Sequence, residues 1–91
     1  MTDTSLRGPA LGKYMTADEL PPTSARTKQW QITDSHGGAL GRVRWYSGWR
    51  QYVFHPNVLA DPVFNPDCLD EIARFVRART VEHRARLYAD R

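Results

Sequence analysis

Asn65-Pro66 divides this sequence into two parts with different hydrophobic periods. Asparagine is a good N-cap, and proline suits the first helical position, where its missing N–H would have no intrahelical partner anyway. Asp67, Asp70 and Glu71 follow, placing carboxylates at the positive end of a helix dipole. From there Leu69, Ile72, Ala73, Val76, Thr80 and Leu87 fall along one stripe with a helical period, flanked by Cys68 and Phe75. The second part therefore predicts a C-terminal helix, with Leu69, Ile72, Ala73 and Val76 closing the core. Arg84, Arg86 and Arg91 lie toward its end, where cations are favoured, and beyond Val81 the stripe thins. Asp70 and Arg74 have the spacing of an i,i+4 ion pair.

Upstream the period is two. Trp30 and Ile32 alternate with Gln29, Gln31 and Thr33, as in a half-buried strand, and the run closes at Asp34-Ser35-His36-Gly37-Gly38, whose glycines can take the positive φ of a tight hairpin. A second strand is expected over Ala39 to Tyr46, a turn at Ser47-Gly48, and a third strand over Trp49 to His55, ended by Pro56. Asn57 to Phe64 reads as a loop. Residues 1–27, with Pro9, Pro21 and Pro22 and no sustained period, read as a mobile N-terminal arm. Thr16 and Glu19 have capping-box spacing there, so one helical turn at Thr16 to Leu20 is possible before Pro21 ends it. The expected fold is α+β: a three-stranded antiparallel β-meander packed on one C-terminal α-helix (β-β-β-α) over residues 28–91, preceded by the flexible arm.

At 91 residues the chain has room for one core. Cys68 is the only cysteine, so no intrachain disulfide or multi-cysteine zinc site holds the fold, which suits a reducing cytoplasm. It stands at the third helical position, where a dipole can activate a thiol, but beside the apolar stripe it reads as a small core residue. No apolar run approaches a membrane span, and Met1 to Gly8 lack the apolar region of a secretory signal. His36, His55 and His83 have no metal-ligand spacing, and no phosphate-binding glycine loop, nucleophile elbow or catalytic carboxylate pair is present. A non-enzymatic binding module without cofactor or metal is the expectation.

Charge says where it would bind. The net charge is +3, and the excess sits between Lys28 and Asn57, where Lys28, Arg42, Arg44 and Arg50 face Asp34 alone. Alternation places Leu40, Arg42, Arg44 and Tyr46 on one face of the second strand, with Gly41, Val43 and Trp45 on the other. Because guanidinium is almost never buried unpaired, Val43 and Trp45 should face inward and Arg42 and Arg44 outward. The alternation does not decide which face of the third strand is buried, where Arg50, Tyr52 and Phe54 oppose Gln51, Val53 and His55. Arg42, Arg44, Trp49, Arg50 and Tyr52 are thus the candidate binding residues. Arginine reaches phosphates and guanine edges while aromatic rings stack on bases. The same composition serves a protein interface, in which Trp, Tyr and Arg dominate, or a plain solvated sheet.

The run Leu40-Gly41-Arg42-Val43-Arg44-Trp45-Tyr46, then Trp49-Arg50-Gln51-Tyr52-Val53-Phe54-His55-Pro56, then Phe64-Asn65, Cys68-Leu69 and Ile72-Ala73-Arg74-Phe75, resembles a group of small phage and prophage proteins with no settled activity. Gly48 and His55 stand where that group tends to have a proline and an aromatic residue. The resemblance, from Trp30 to about Val81, implies a phage-type accessory protein in the bacterial host cytoplasm and transfers no site residues. Its partner would be a nucleic acid or, as the alternative, a host or defence protein that it masks. The β-β-β-α order also looks like sheet-reading DNA-binding domains of the integrase-arm and AP2 type, an analogy of fold alone.

Overall fold

The computed structural model describes residues 10–89. It is an antiparallel sheet of four strands in the order β1-β2-β3-β4, with β1 at Met15–Leu20, β2 at Gln29–Asp34, β3 at Ala39–Tyr46 and β4 at Gln51–Pro56. A single 3-10 turn at Val58–Ala60 leads to the helix α1, Pro66–Ala89. The architecture is α+β, as expected, but with four strands rather than three. Among the described residues no helix is long and apolar enough to cross a membrane.

The additional strand comes from the segment read as an arm. Met15–Leu20 pairs along its whole length with β2, and Met15 and Ala17 are among the most buried residues of the sheet. No helical turn forms at Thr16 to Leu20. Before β1 the chain folds back, with the Leu11 N–H donating to the Met15 carbonyl at 2.9 Å, and Leu11 packs on the core. The sheet thus begins well before residue 28; the first nine residues of the expected arm lie outside the described residues. Two tertiary bonds tie the β1–β2 connection down: the Gln29 side-chain amide donates to the Pro21 carbonyl at 2.8 Å, and the Lys28 N–H donates to the Tyr52 hydroxyl at 3.1 Å.

The β2–β3 hairpin turns on Asp34. Its Oδ1 accepts from the His36 and Gly38 N–H groups, each at 2.8 Å, and Gly37 takes the left-handed conformation, φ +88°, that a side chain would strain. Those backbone bonds hold the Asp34 carboxyl below its usual value. Just beyond the turn the register shifts: Thr33 pairs with Ala39 and Ile32 with Gly41, so Leu40 is the extra residue of a β-bulge.

The covered face of the sheet is aromatic. Tyr52 is its hub, 3% exposed, with edge-to-face contacts to Trp30 at 5.4 Å and Trp45 at 5.3 Å, while Trp30 meets Phe75 of α1 at 5.3 Å. Ile32 and Val43 fill the centre, and the Phe54 ring lies over Gly41, where a Cβ would stand 2.6 Å from Phe54 Cζ and overlap the His55 carbonyl.

The helix starts where the sequence places it: the Cys68 N–H donates to Asn65 Oδ1 at 2.8 Å. Its buried positions are Ile72, Thr80 and His83, with Cys68, Phe75 and Val76 partly buried against the core. Leu69, expected in the lid, is 52% exposed. The face that packs is rotated away from the centre of the apolar stripe, toward His83. Thr80 Oγ1 accepts from the Tyr52 N–H at 3.0 Å and donates to the Val76 carbonyl at 3.0 Å, joining helix to sheet. His83 sits against the Trp45 ring at 4.5 Å; burial first, and the Arg86 charge second, hold its pKa below the usual value. The expected Asp70–Arg74 pair does not form; among the described residues the ion pair is Arg79–Glu82, at 2.7 Å.

Candidate nucleic-acid interface

Among the described residues one helix covers one face of the sheet and no element covers the other, the open face, although Gln29 and Thr33 on it are themselves buried. Register decides what stands on it, because directly paired residues share a face. Trp30 pairs with Val43 and Val43 with Phe54, all toward the helix, so the open face carries Gln29 and Gln31 of β2, Arg42, Arg44 and Tyr46 of β3, and Gln51, Val53 and His55 of β4. From β1 it takes Thr16, Asp18 and Leu20, and Asp18 Oδ2 accepts from the Thr33 hydroxyl at 2.9 Å.

Arg42 and Arg44 are exposed and stand two residues apart on the central strand, about 6.6 Å from each other along it. Arg42 is flanked by Gln31 and His55, and Arg44 by Gln29 and Val53. A shallow depression of about 360 Å³ opens between them, lined also by Asn57, whose side-chain amide donates to the Ala39 carbonyl at 3.2 Å. Burial, and then the Arg44 charge, push the His55 pKa below its usual value. The depression is therefore edged by two permanent cations and by neutral groups that both donate and accept hydrogen bonds.

At the far end of β3 the chain turns through Ser47 to Arg50. The Trp49 N–H donates to the Tyr46 carbonyl at 3.2 Å, and the two rings meet edge-to-face at 5.0 Å. Trp49 is 67% exposed. Strand β4 begins at Gln51 rather than Trp49, so Trp49 and Arg50 belong to this turn and not to a strand face. Arg50 adopts the left-handed conformation, φ 53°, and its carbonyl accepts from Arg84 Nη2 at 3.2 Å.

Of the five candidate residues, Arg42 and Arg44 stand together on the open face, while Trp49 and Arg50 cap one end of the β3–β4 hairpin. Tyr52 is removed from the set: it faces the helix as the centre of the aromatic core, with its hydroxyl occupied by Lys28. Tyr46 takes the aromatic position on the open face. His55, Gln31 and Asn57 join the site without having been expected there. Once the turn at Ser47 to Arg50 is placed, its length fixes His55 opposite Arg42, so the signal for His55 lay in the turn rather than in the strand.

Against family models, curated proteins and solved structures, the chain shows no match.

Proposed function

We propose that this chain is a non-enzymatic module that binds nucleic acid on its open sheet face, as an accessory protein of phage type in a bacterial cytoplasm. The observation that carries the reading is the pair Arg42 and Arg44, adjacent and exposed on the polar face opposite the helix, with the Tyr46–Trp49 ring pair farther along, at the turn end of the same hairpin. The two guanidinium groups take phosphate oxygens. Trp49 offers a face on which a splayed base stacks, and Gln31, His55 and Asn57 supply hydrogen bonds to sugar or base edges. Arg50 follows Trp49 in the same turn and adds a third exposed cation to this hairpin. The accessory role draws on the resemblance to phage proteins.

The test is a titration on mixed-sequence single-stranded and duplex nucleic acid at several salt concentrations. The affinity should fall linearly in log[salt], with a slope of about −0.7 per phosphate engaged on single strands and about −0.9 on duplex DNA. Arg42→Ala with Arg44→Ala should weaken binding to every sequence alike and make the slope shallower by about two phosphate equivalents. Absence of binding at low salt, or a double variant that binds like the parent, overturns the proposal.

A further inference from the structure

A second surface lies along the outer edge of β4, beside the arginine face. Strand β4 ends the sheet, and on that side it meets α1 rather than another strand. Two hydrogen bonds fix which of its backbone groups point outward. The Asn57 N–H donates to the Leu40 carbonyl at 2.9 Å, and the Tyr52 N–H donates away from β3, to Thr80. Antiparallel pairs alternate between exchanging both bonds and exchanging none. With Leu40 and Asn57 bonded, Arg42–His55 and Arg44–Val53 are the bonded pairs, and Tyr52 and Phe54 turn their backbone groups away from β3. Thr80 occupies one of these groups; the Phe54 N–H and the carbonyls of Tyr52 and Phe54 face the edge.

That edge borders a groove of about 740 Å³ between β4 and α1. Gln51 and Val53 line it together with Tyr52 and Phe54, so side chains from both faces of the strand border it, as they must if it runs along the strand's edge. Its helix wall is apolar, with Leu69, Val76 and Val81, and Leu69 and Val81 are 52% and 65% exposed. The charged groups lining it are Arg77 and Arg84, with no carboxylate among the described lining residues. An edge strand with open backbone groups, an apolar helix beside it and cations on the rim together make a site for strand addition.

We propose that this groove binds an extended acidic peptide, which adds to β4 as a fifth strand, sets alternate apolar side chains against Leu69, Val76 and Val81, and places carboxylates against Arg77 and Arg84. Charge selects this occupant over a second copy of the chain, since pairing two β4 edges would gather two like sets of arginines in one groove. Arg42 and Arg44 do not line the groove, so its charge is separate from that of the nucleic-acid face, although Trp49, Gln51 and Val53 border both surfaces.

The experiment pans a display library of randomised heptapeptides against the full-length protein and measures hydrogen exchange at the Phe54 amide. Enriched peptides should carry Asp or Glu alternating with apolar residues, and their binding should slow exchange at Phe54, whose amide in the free protein exchanges faster than that of Val53. Arg77→Glu with Arg84→Glu should weaken the selected peptides about tenfold or more, whereas Arg42→Ala with Arg44→Ala should leave them unchanged even where nucleic-acid binding is lost. If the double reversal unfolds, Arg77→Glu alone gives the same reading. Enrichment of basic or uncharged peptides, no enrichment, or selected peptides indifferent to the charge reversal overturns the proposal. So does a protein that sediments as a dimer with its Phe54 amide protected before any peptide is added.

Discussion

The two faces of this sheet are built from the same strands and differ in nearly every respect that matters to stability and binding. On the covered face, Trp30, Tyr52, Trp45 and Phe75 interlock edge-to-face around Ile32 and Val43. On the open face, Arg42, Arg44 and Tyr46 are exposed, with no covering element among the described residues, beside Gln29, Gln31, Gln51 and His55. One residue of displacement along β3 separates Val43, with no exposed surface, from an exposed arginine on either side. Covered positions contribute apolar transfer and packing, whereas open positions contribute charge that water would otherwise solvate. Stability and affinity should therefore separate cleanly by face.

The largest effect belongs to Trp30→Ala, which removes a ring wedged between Tyr52 and Phe75. It should cost about 3–5 kcal/mol, a large part of the 5–15 kcal/mol typical of a small domain. Ile72→Ala, the buried contact of the helix, falls just below at about 2–5 kcal/mol. Chemical denaturation would read both, and a melting curve like the parent's for either would mean that α1 does not close this face.

Thr80→Val keeps the shape of the helix–sheet contact and removes its hydroxyl. The Tyr52 N–H is then left buried without an acceptor, at a cost of about 1–3 kcal/mol, and Thr80→Ser should recover most of it. Equal stability of the valine and serine variants would show that packing alone joins helix to sheet at this point.

Acid should weaken the covered face further. The His83 pKa lies below the ordinary 6.5 in the folded state, so the unfolded chain takes up the proton first. Its contribution to stability is complete above pH 6.5, declines as the pH falls below that value, and levels off under the depressed folded pKa. His55 acts in the same direction from the open face. Asp34, held below its ordinary 3.8, contributes above that value and loses its contribution only in stronger acid, outside the histidine window. Denaturation midpoints measured at about pH 7.5 and about pH 5 should separate for the parent and draw closer for His83→Phe. An unchanged gap would place His83 in contact with solvent.

The smallest effect on stability is expected from Arg44→Ala, within about 0.5 kcal/mol of the parent. A loss like that of Ile72→Ala would show that this arginine supports the fold and would undo the division between the faces.

The meander from β2 to β4 and the start of α1 were readable because local chemistry and tertiary contacts agree there. Asp34 and Gly37 make the turn that their types favour, and Asn65 caps the helix with its own side chain. Strand β1 was hidden because Ala17 and Glu19 are poor strand formers and only Met15 and Ala17 bury; pairing with β2 overrides local preference. Tyr52 was misplaced because aromatic residues stand at both parities from Trp49 onward, and only the start of β4 at Gln51 settles the phase. Leu69 misled because the apolar stripe is wider than the contact: part of it packs on the sheet and part lines the groove beside β4.

The bulge at Leu40 acts as a correction of phase. The Asp34 turn alone sets Thr33 against Ala39, and a ladder continued from that pair would bring Trp30 opposite Arg42. Arg42 and Arg44 would then point at the helix, and Val43 would meet water. One additional residue moves Trp30 opposite Val43 and turns both guanidinium groups outward. The turn and the two faces are thereby specified independently, and an insertion or deletion of a single residue at this position would exchange inside for outside along the whole of β3.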